Sequence, residues 1–177
     1  MVRSDARENR ARIMQAAREA FDESGEISMN RIAQLAGVGP GTLYRNFATR
    51  EALVLAVYEA EVERLVASVP ELIASRPPRE ALRHWTIDLV EAMRKKNGLG
   101  DALSAAGHQT AIEHTYGPVI GAITALLDAG KSDGTFRTDA DPRDFLQLTG
   151  ALWRAAIGPE DRSRQMLELI LDGLGVR

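Results

Sequence analysis

Between Thr42 and Arg50 the chain gathers side chains suited to touching nucleic acid. The hydroxyls of Thr42 and Tyr44 can donate to phosphate oxygens or lie against a thymine methyl. Arg45 and Asn46 carry the donor and acceptor patterns that pair with base edges or with the backbone. Gly39 and Gly41 present bare backbone just upstream, so their amides can approach a phosphate closely. Arg50 adds a cation in the first turn of a helix, where the helix dipole disfavours it and a phosphate contact gives it a role.

Groove reading requires that these side chains stand on one side of a short helix, and the preceding residues supply that frame. Ser28 is placed to cap a first helix whose apolar positions Ile32, Leu35 and Ala36 recur at helical spacing, and Gly37 provides the left-handed residue that ends it. Pro40 follows at the first position of a second helix, where its fixed φ helps and its missing N–H costs nothing. Leu43 and Phe47, four apart, form the inward side of that helix and leave Thr42, Tyr44, Arg45 and Asn46 toward the outside. Helix, glycine turn, helix is the helix-turn-helix pattern.

Two helices around a glycine occur in many proteins that never meet DNA. The ordered string is more specific. Ala33-x-x-Ala36-Gly37-Val38-x-x-Gly41-Thr42-Leu43-Tyr44-x-x-Phe47, followed by Arg50-Glu51-x-Leu53, closely resembles the DNA-binding domain of TetR-family transcriptional repressors from about Arg10 to Tyr58. That family often has Ser where Gly39 stands and Lys where Arg50 stands; the first difference removes a hydroxyl and the second keeps the charge. The resemblance implies DNA binding through Ser28, Gly39, Pro40, Gly41, Thr42, Tyr44, Arg45, Asn46 and Arg50.

Charge is divided along the chain in the same sense. Eight arginines stand against six acids through Arg50, a net +2, while the remaining 14 bases and 19 acids give −5, so the overall −3 belongs to the later part. A mildly basic head on an acidic body suits a protein that meets phosphates with its N-terminal part alone. At 177 residues there is length for a small head and a larger body, divided here as 1–50 (core 9–47) and 51–177. With no cysteine there is no disulfide framework and no thiolate ligand or nucleophile. No apolar run reaches membrane-spanning length, and charge rather than a hydrophobic signal follows Met1, so a cytoplasmic protein is expected.

No strand pattern or repeat emerges, and the expected fold is all-α: a three-helix helix-turn-helix domain followed by a helical ligand-binding and dimerisation domain. Residues 1–8 are expected to fray, with an amphipathic helix over 9–24 ended by Gly25. A helix capped by Thr49 runs to about residue 68 and joins head to body. Pro70 and Arg76-Pro77-Pro78 interrupt the helical pattern. Further helices are expected over 79–96, 99–106 and 118–129, the last closed by Gly130. Asp141-Pro142 starts another, to about Ile157, and Gly158-Pro159 separates it from a final helix.

These last two helices are apolar on more than one face. Burial within the chain and pairing with a second copy would each cover Phe145, Leu148, Leu152, Leu167, Ile170, Leu171 and Leu174. The second is favoured, as a four-helix interface about a two-fold axis, and the resemblance implies the same homodimer. The resemblance also implies a small-molecule pocket in the body, for which Trp85, Met93, His108, Tyr116 and Trp153 offer apolar walls with polar handles. His108 and His114, six apart, fall on different sides of a helix, a poor metal spacing even with Glu113 beside them. With no phosphate-binding glycine loop and no nucleophile elbow either, neither enzyme activity nor a cofactor or metal is expected. The expected function is a repressor of a palindromic double-stranded DNA operator, released by a small-molecule effector. An activator, or a protein-binding module on the same fold, is the alternative.

Overall fold

The structure is a computed structural model and describes residues 2–23, 28–98, 103–154 and 160–176. Those residues form nine helices: α1 Val2–Glu23, α2 Met29–Leu35, α3 Pro40–Asn46, α4 Arg50–Ala67, α5 Val69–Ser75, α6 Pro78–Gly98, α7 Ala105–Ser132, α8 Pro142–Arg154 and α9 Glu160–Leu174. The described chain is helical, without strands apart from one isolated bridge between Phe136 and Gly175. It divides into two compact units, residues 1–60 with 95–112, and residues 61–94 with 113–177.

The first unit is built on a single apolar cluster. Ile13, Ala16 and Ala17 of α1 meet Met29, Ile32 and Ala33 of α2, Leu43 of α3, and Leu53, Ala56 and Val57 of α4; Ala36 and Phe47 complete the cluster at the ends of α2 and α3. α1 does not wait until residue 9. It begins at Val2, because residues 2–8 contain no glycine or proline and continue a good helix-forming run. Gly25, expected to end it, lies outside the described residues.

The second unit has its own core, in which Leu82, Trp85 and Leu89 of α6 and Ile123, Leu126 and Leu127 of α7 are fully buried. Pro70 falls in the first turn of α5 rather than breaking a helix, and Arg76 and Pro77 separate α5 from α6. The largest departure from the expected pattern is α7. It is one 28-residue helix with Pro118 inside it, where separate helices over 99–106 and 118–129 are expected. Pro118 costs the ladder one donor, locally about 3 kcal/mol. Against this, Ala111, Thr115, Val119, Ala122, Ile123, Leu126 and Leu127 make a continuous buried stripe on one side, while Pro118 itself is exposed. Leu103 and Ser104 precede the helix, and residues 99–102 lie outside the described residues.

Gly130 does not close α7, which continues to Ser132. It is glycine because the Phe136 ring lies against it, leaving no room for a Cβ. Arg137 then donates its backbone N–H to the Leu174 carbonyl at 2.8 Å, tying this turn to the end of α9. Asp141 Oδ1 accepts from the N–H groups of Arg143 (2.7 Å) and Asp144 (3.3 Å), capping α8 as the sequence suggests. The expected break at Gly158-Pro159 lies outside the described residues.

Candidate nucleic-acid interface

Local chemistry fixes both helices of the motif. The Ser28 hydroxyl accepts from Arg31 N–H at 3.3 Å, capping α2. At the other end Gly37 has φ +64°. Its N–H bonds to the Gln34 carbonyl (3.2 Å) and the Val38 N–H to the Ala33 carbonyl (3.0 Å), the paired bonds of a Schellman ending. A Cβ at Gly37 would meet only Arg12 Nη1 at 3.7 Å, so the position demands glycine for its backbone and not for lack of space. Gly37→Ala should therefore destabilise the head by about 1–2 kcal/mol, the cost of a left-handed alanine, read from chemical unfolding of the full chain.

α3 starts on Gly39, whose carbonyl accepts from Thr42 (2.9 Å) and Leu43 (3.1 Å), with Pro40 at the first helical position. Its inner side is Leu43, fully buried, continued by Phe47 at 3% exposure. Its outer side carries the side chains singled out by the sequence. Tyr44 is 47% exposed, Arg45 is exposed, and Thr42 and Asn46 are half-buried. Gly39 and Gly41 have open space where a Cβ would stand, so backbone is available to a close ligand at the start of α3.

Arg45 lies back along its own helix, with Nε donating to the Gly41 carbonyl and Nη2 to Thr42 Oγ1, each at 3.1 Å. Asn46 Nδ2 donates to the Thr42 carbonyl at 2.8 Å. These bonds preset the two side chains over one turn of helix, and the exposure of the Arg45 bonds makes their exchange for bonds to a nucleotide inexpensive. Arg50, in the first turn of α4, is half-buried, and Thr49 Oγ1 caps that helix by accepting from Ala52 N–H at 3.1 Å.

One participant was not foreseen. The Arg10 guanidinium of α1 lies 4.3 Å from the centre of the Phe47 ring, and its Nη1 donates to the Asn46 carbonyl at 3.4 Å. It thus places a cation at the carbonyl end of α3 and holds that end against α1. The sequence signal was weak but present: Arg10 stands three residues before Ile13, beside the buried face of α1.

The residues expected to line an effector pocket have varied surroundings. Trp85 is fully buried and its indole N–H donates to the Leu65 carbonyl at 2.8 Å, so it belongs to the core and its polar handle is engaged. Met93 is half-buried, Tyr116 is 44% exposed, and His108 is half-buried in the first unit. The Trp153 side chain lies outside the described residues. A cavity of about 100 Å³ in the second unit is instead lined by Ile87, Val90, Arg94, Leu152, Ser163 and Leu167, among others, and by none of Trp85, Met93, His108 and Tyr116. Among the described residues no group of three or more His, Cys, Asp or Glu side chains is placed to hold a metal ion.

The expected dimer residues divide in two. Phe145, Leu152, Leu167 and Leu171 are at most 3% exposed within the single chain, packed into its own core. Leu148 is 59% exposed, Ile170 and Leu174 are half-buried, and Leu169 of α9, not foreseen, is 71% exposed. No helix among the described residues is long and apolar enough to cross a membrane.

Comparison with known proteins agrees with this geometry over both units. Residues 13–57 match a family model described as bacterial regulatory proteins of the tetR family, and residues 77–176 match one for the C-terminal domain of SbtR-like transcriptional regulators. An HTH-type transcriptional regulator of Staphylococcus aureus strain USA300 is 41% identical over 73 residues, a match spanning 40% of this chain and 40% of that relative. The crystal structure of a TetR transcriptional regulator from Streptomyces coelicolor is similar over 94% of this chain and 98% of that one, with 40% identity and a TM-score of 0.78. Thermus thermophilus FadR, a TetR-family transcriptional repressor solved in complex with lauroyl-CoA, is 27% identical, with a TM-score of 0.63 over 95% of this chain and 96% of that one. The chain belongs to the TetR family of bacterial DNA-binding transcriptional regulators.

Proposed function

We propose that this protein is a cytoplasmic, homodimeric repressor whose two α3 helices enter successive major grooves of a palindromic operator. Residues 1–50 bind the DNA, and residues 51–177 form the dimer and take a small-molecule effector that releases it. The observation that carries the reading is the two-sidedness of α3. Leu43 and Phe47 are sealed into the head, while Tyr44 and Arg45 stand exposed beside two glycines with open space at the start of the helix. In that reading Gly39, Pro40 and Gly41 bring backbone to a phosphate, Thr42, Tyr44, Arg45 and Asn46 meet the groove, Ser28 lies at the start of α2 near the backbone, and Arg50 contacts phosphate.

For a palindrome read on one face, the two α3 helices stand ~34–36 Å apart, about one turn of B-DNA. An effector that prefers a different separation withdraws the protein from the operator by no more than its difference in affinity for the two conformers, with α4 as lever. The complex of the related FadR repressor with lauroyl-CoA supports a ligand-responsive body.

Selection of bound fragments from random duplex DNA tests the reading. The expected result is a palindrome with half-sites one turn apart; an absence of enrichment would overturn it. With that duplex in hand, Arg50→Ala should weaken binding to all sequences alike and reduce the salt slope by about one. Tyr44→Ala should cost about 1–3 kcal/mol on the selected duplex and much less on random DNA, as a contact to a base edge does. Equal losses would assign Tyr44 to the backbone.

A further inference from the structure

Glu51 stands one residue beyond Arg50 in the first turn of α4, and its carboxylate is anchored. Oε1 accepts from the backbone N–H of Ser104 at 2.8 Å and from the Ser104 hydroxyl at 2.6 Å. Ser104 is the residue from which α7 begins: its carbonyl accepts from His108 N–H (2.9 Å) and its Oγ from Gly107 N–H (3.0 Å). One carboxylate oxygen therefore holds the cap of a 28-residue helix. These bonds hold the Glu51 pKa below the ordinary carboxylate range, with the Ser104 hydroxyl the largest cause.

A second observation shows that the carboxylate has a fitted place. Gly107 is buried, and a Cβ added there would overlap Glu51 Oε1 and stand 3.1 Å from Glu51 Cδ. Gly117 and Gly121 of the same helix meet nothing within 4 Å, whereas a side chain at 107 would have to push the Glu51 carboxylate from its present place. Two residues along α4 from Glu51, Leu53 is buried in the same apolar cluster as Leu43 and Phe47. All these residues belong to the first unit.

We propose that Glu51 is a positioning residue for DNA binding, a latch that fastens the first turn of α7 to the recognition head and so links operator occupancy to the order of residues 104–108. This rests on the operator-binding reading above. Linkage makes the effect reciprocal: whatever releases Ser104 weakens operator binding by the factor by which operator binding tightens the latch. A mutation or ligand that disturbs the start of α7 is then felt at α3 without touching DNA.

The test uses the full chain and the duplex selected by the wild type, in the variants Gly107→Ala, Glu51→Ala, their double mutant, and Glu51→Gln. Gly107→Ala displaces the carboxylate without removing it, and Glu51→Ala removes it. Each should weaken binding to the selected duplex by about fivefold or more, and the double mutant should be no weaker than the worse single, because both break one contact. Glu51→Gln keeps an acceptor oxygen of the same shape and should bind within about a factor of two of wild type.

In the wild type the duplex should slow hydrogen exchange of the 104–108 amides, and in Glu51→Ala it should not. Additive losses, single variants at wild-type affinity, or exchange indifferent to DNA would overturn the latch. So would a gain in affinity for all DNA by Glu51→Ala, which is the sign expected if the carboxylate only repels phosphates. Failure of the wild type to select any duplex would instead overturn the operator reading beneath it.

Discussion

Trp85→Ala should reduce the unfolding free energy by about 3–5 kcal/mol, the range for removing a large aromatic side chain from a packed core. Trp85 is fully buried on α6, beside the equally buried Leu82 and Leu89 of the same helix, and its indole N–H reaches the Leu65 carbonyl of α4 at 2.8 Å. The loss comes mostly from the void. The Leu65 carbonyl also accepts from the Ser68 hydroxyl at 2.8 Å, so the substitution does not leave it bare. Trp85→Phe, which keeps most of the ring volume and loses the N–H, should accordingly cost less than the alanine variant, with about 1 kcal/mol from the lost hydrogen bond. Urea unfolding followed by circular dichroism measures both. A loss under about 1 kcal/mol for the alanine variant would put Trp85 back on the wall of a cavity, since a side chain facing empty space contributes little packing.

The contrast between Trp85 and the recognition helix shows where sequence is informative. Ser28, Gly37 and Pro40 act on backbone groups within a few residues of themselves, so their effects can be read in order along the chain, and the inward pair Leu43 and Phe47 follows from helical spacing alone. Trp85 is apolar with a polar handle whether it faces a ligand or the core, and only the position of α4 decides between them. Arg10 over Phe47 and Glu51 on Ser104 are likewise contacts between distant residues that no local pattern announces.

α8 misleads for a different reason. Phe145, Thr149 and Leu152 make its inner stripe, but a polar threonine stands at a fully buried position, its hydroxyl bonded back to the carbonyls of Phe145 and Leu146 at 3.0 Å. Leu148, apolar and on the same helix, faces outward instead. Pro118 misleads because a local penalty is weighed against burial along the whole of α7, and the buried stripe prevails.

Leu148→Glu should separate the proposed dimer and leave the fold of the single chain intact. Leu148 on α8 and Leu169 on α9 are 59% and 71% exposed, large apolar side chains on two helices that pack together. They border an open groove of about 510 Å³ whose walls include Ile170 and Leu174. Single exposed leucines need no explanation, but four apolar side chains on one groove, whose lining also holds Arg137, Asp139, Asp141 and Asp144, fit the proposed interaction surface. In a two-fold interface one substitution enters twice, placing two carboxylates in a contact that excludes water. Burying an unpaired charge costs several kcal/mol, so the dimer dissociation constant should rise by a factor of at least about 100. Operator affinity should fall by a further measure of about 10²–10⁴, because each head then binds its half-site without the other holding it near. Sedimentation equilibrium and titration of the selected duplex read the two effects separately. Leu171→Ala supplies the contrast: buried within the chain, it should lower stability by about 2–5 kcal/mol. If Leu148→Glu and Leu169→Glu together leave the dimer at its wild-type strength, these helices do not form the interface, and the separation of the two recognition helices must be set by another face of the body.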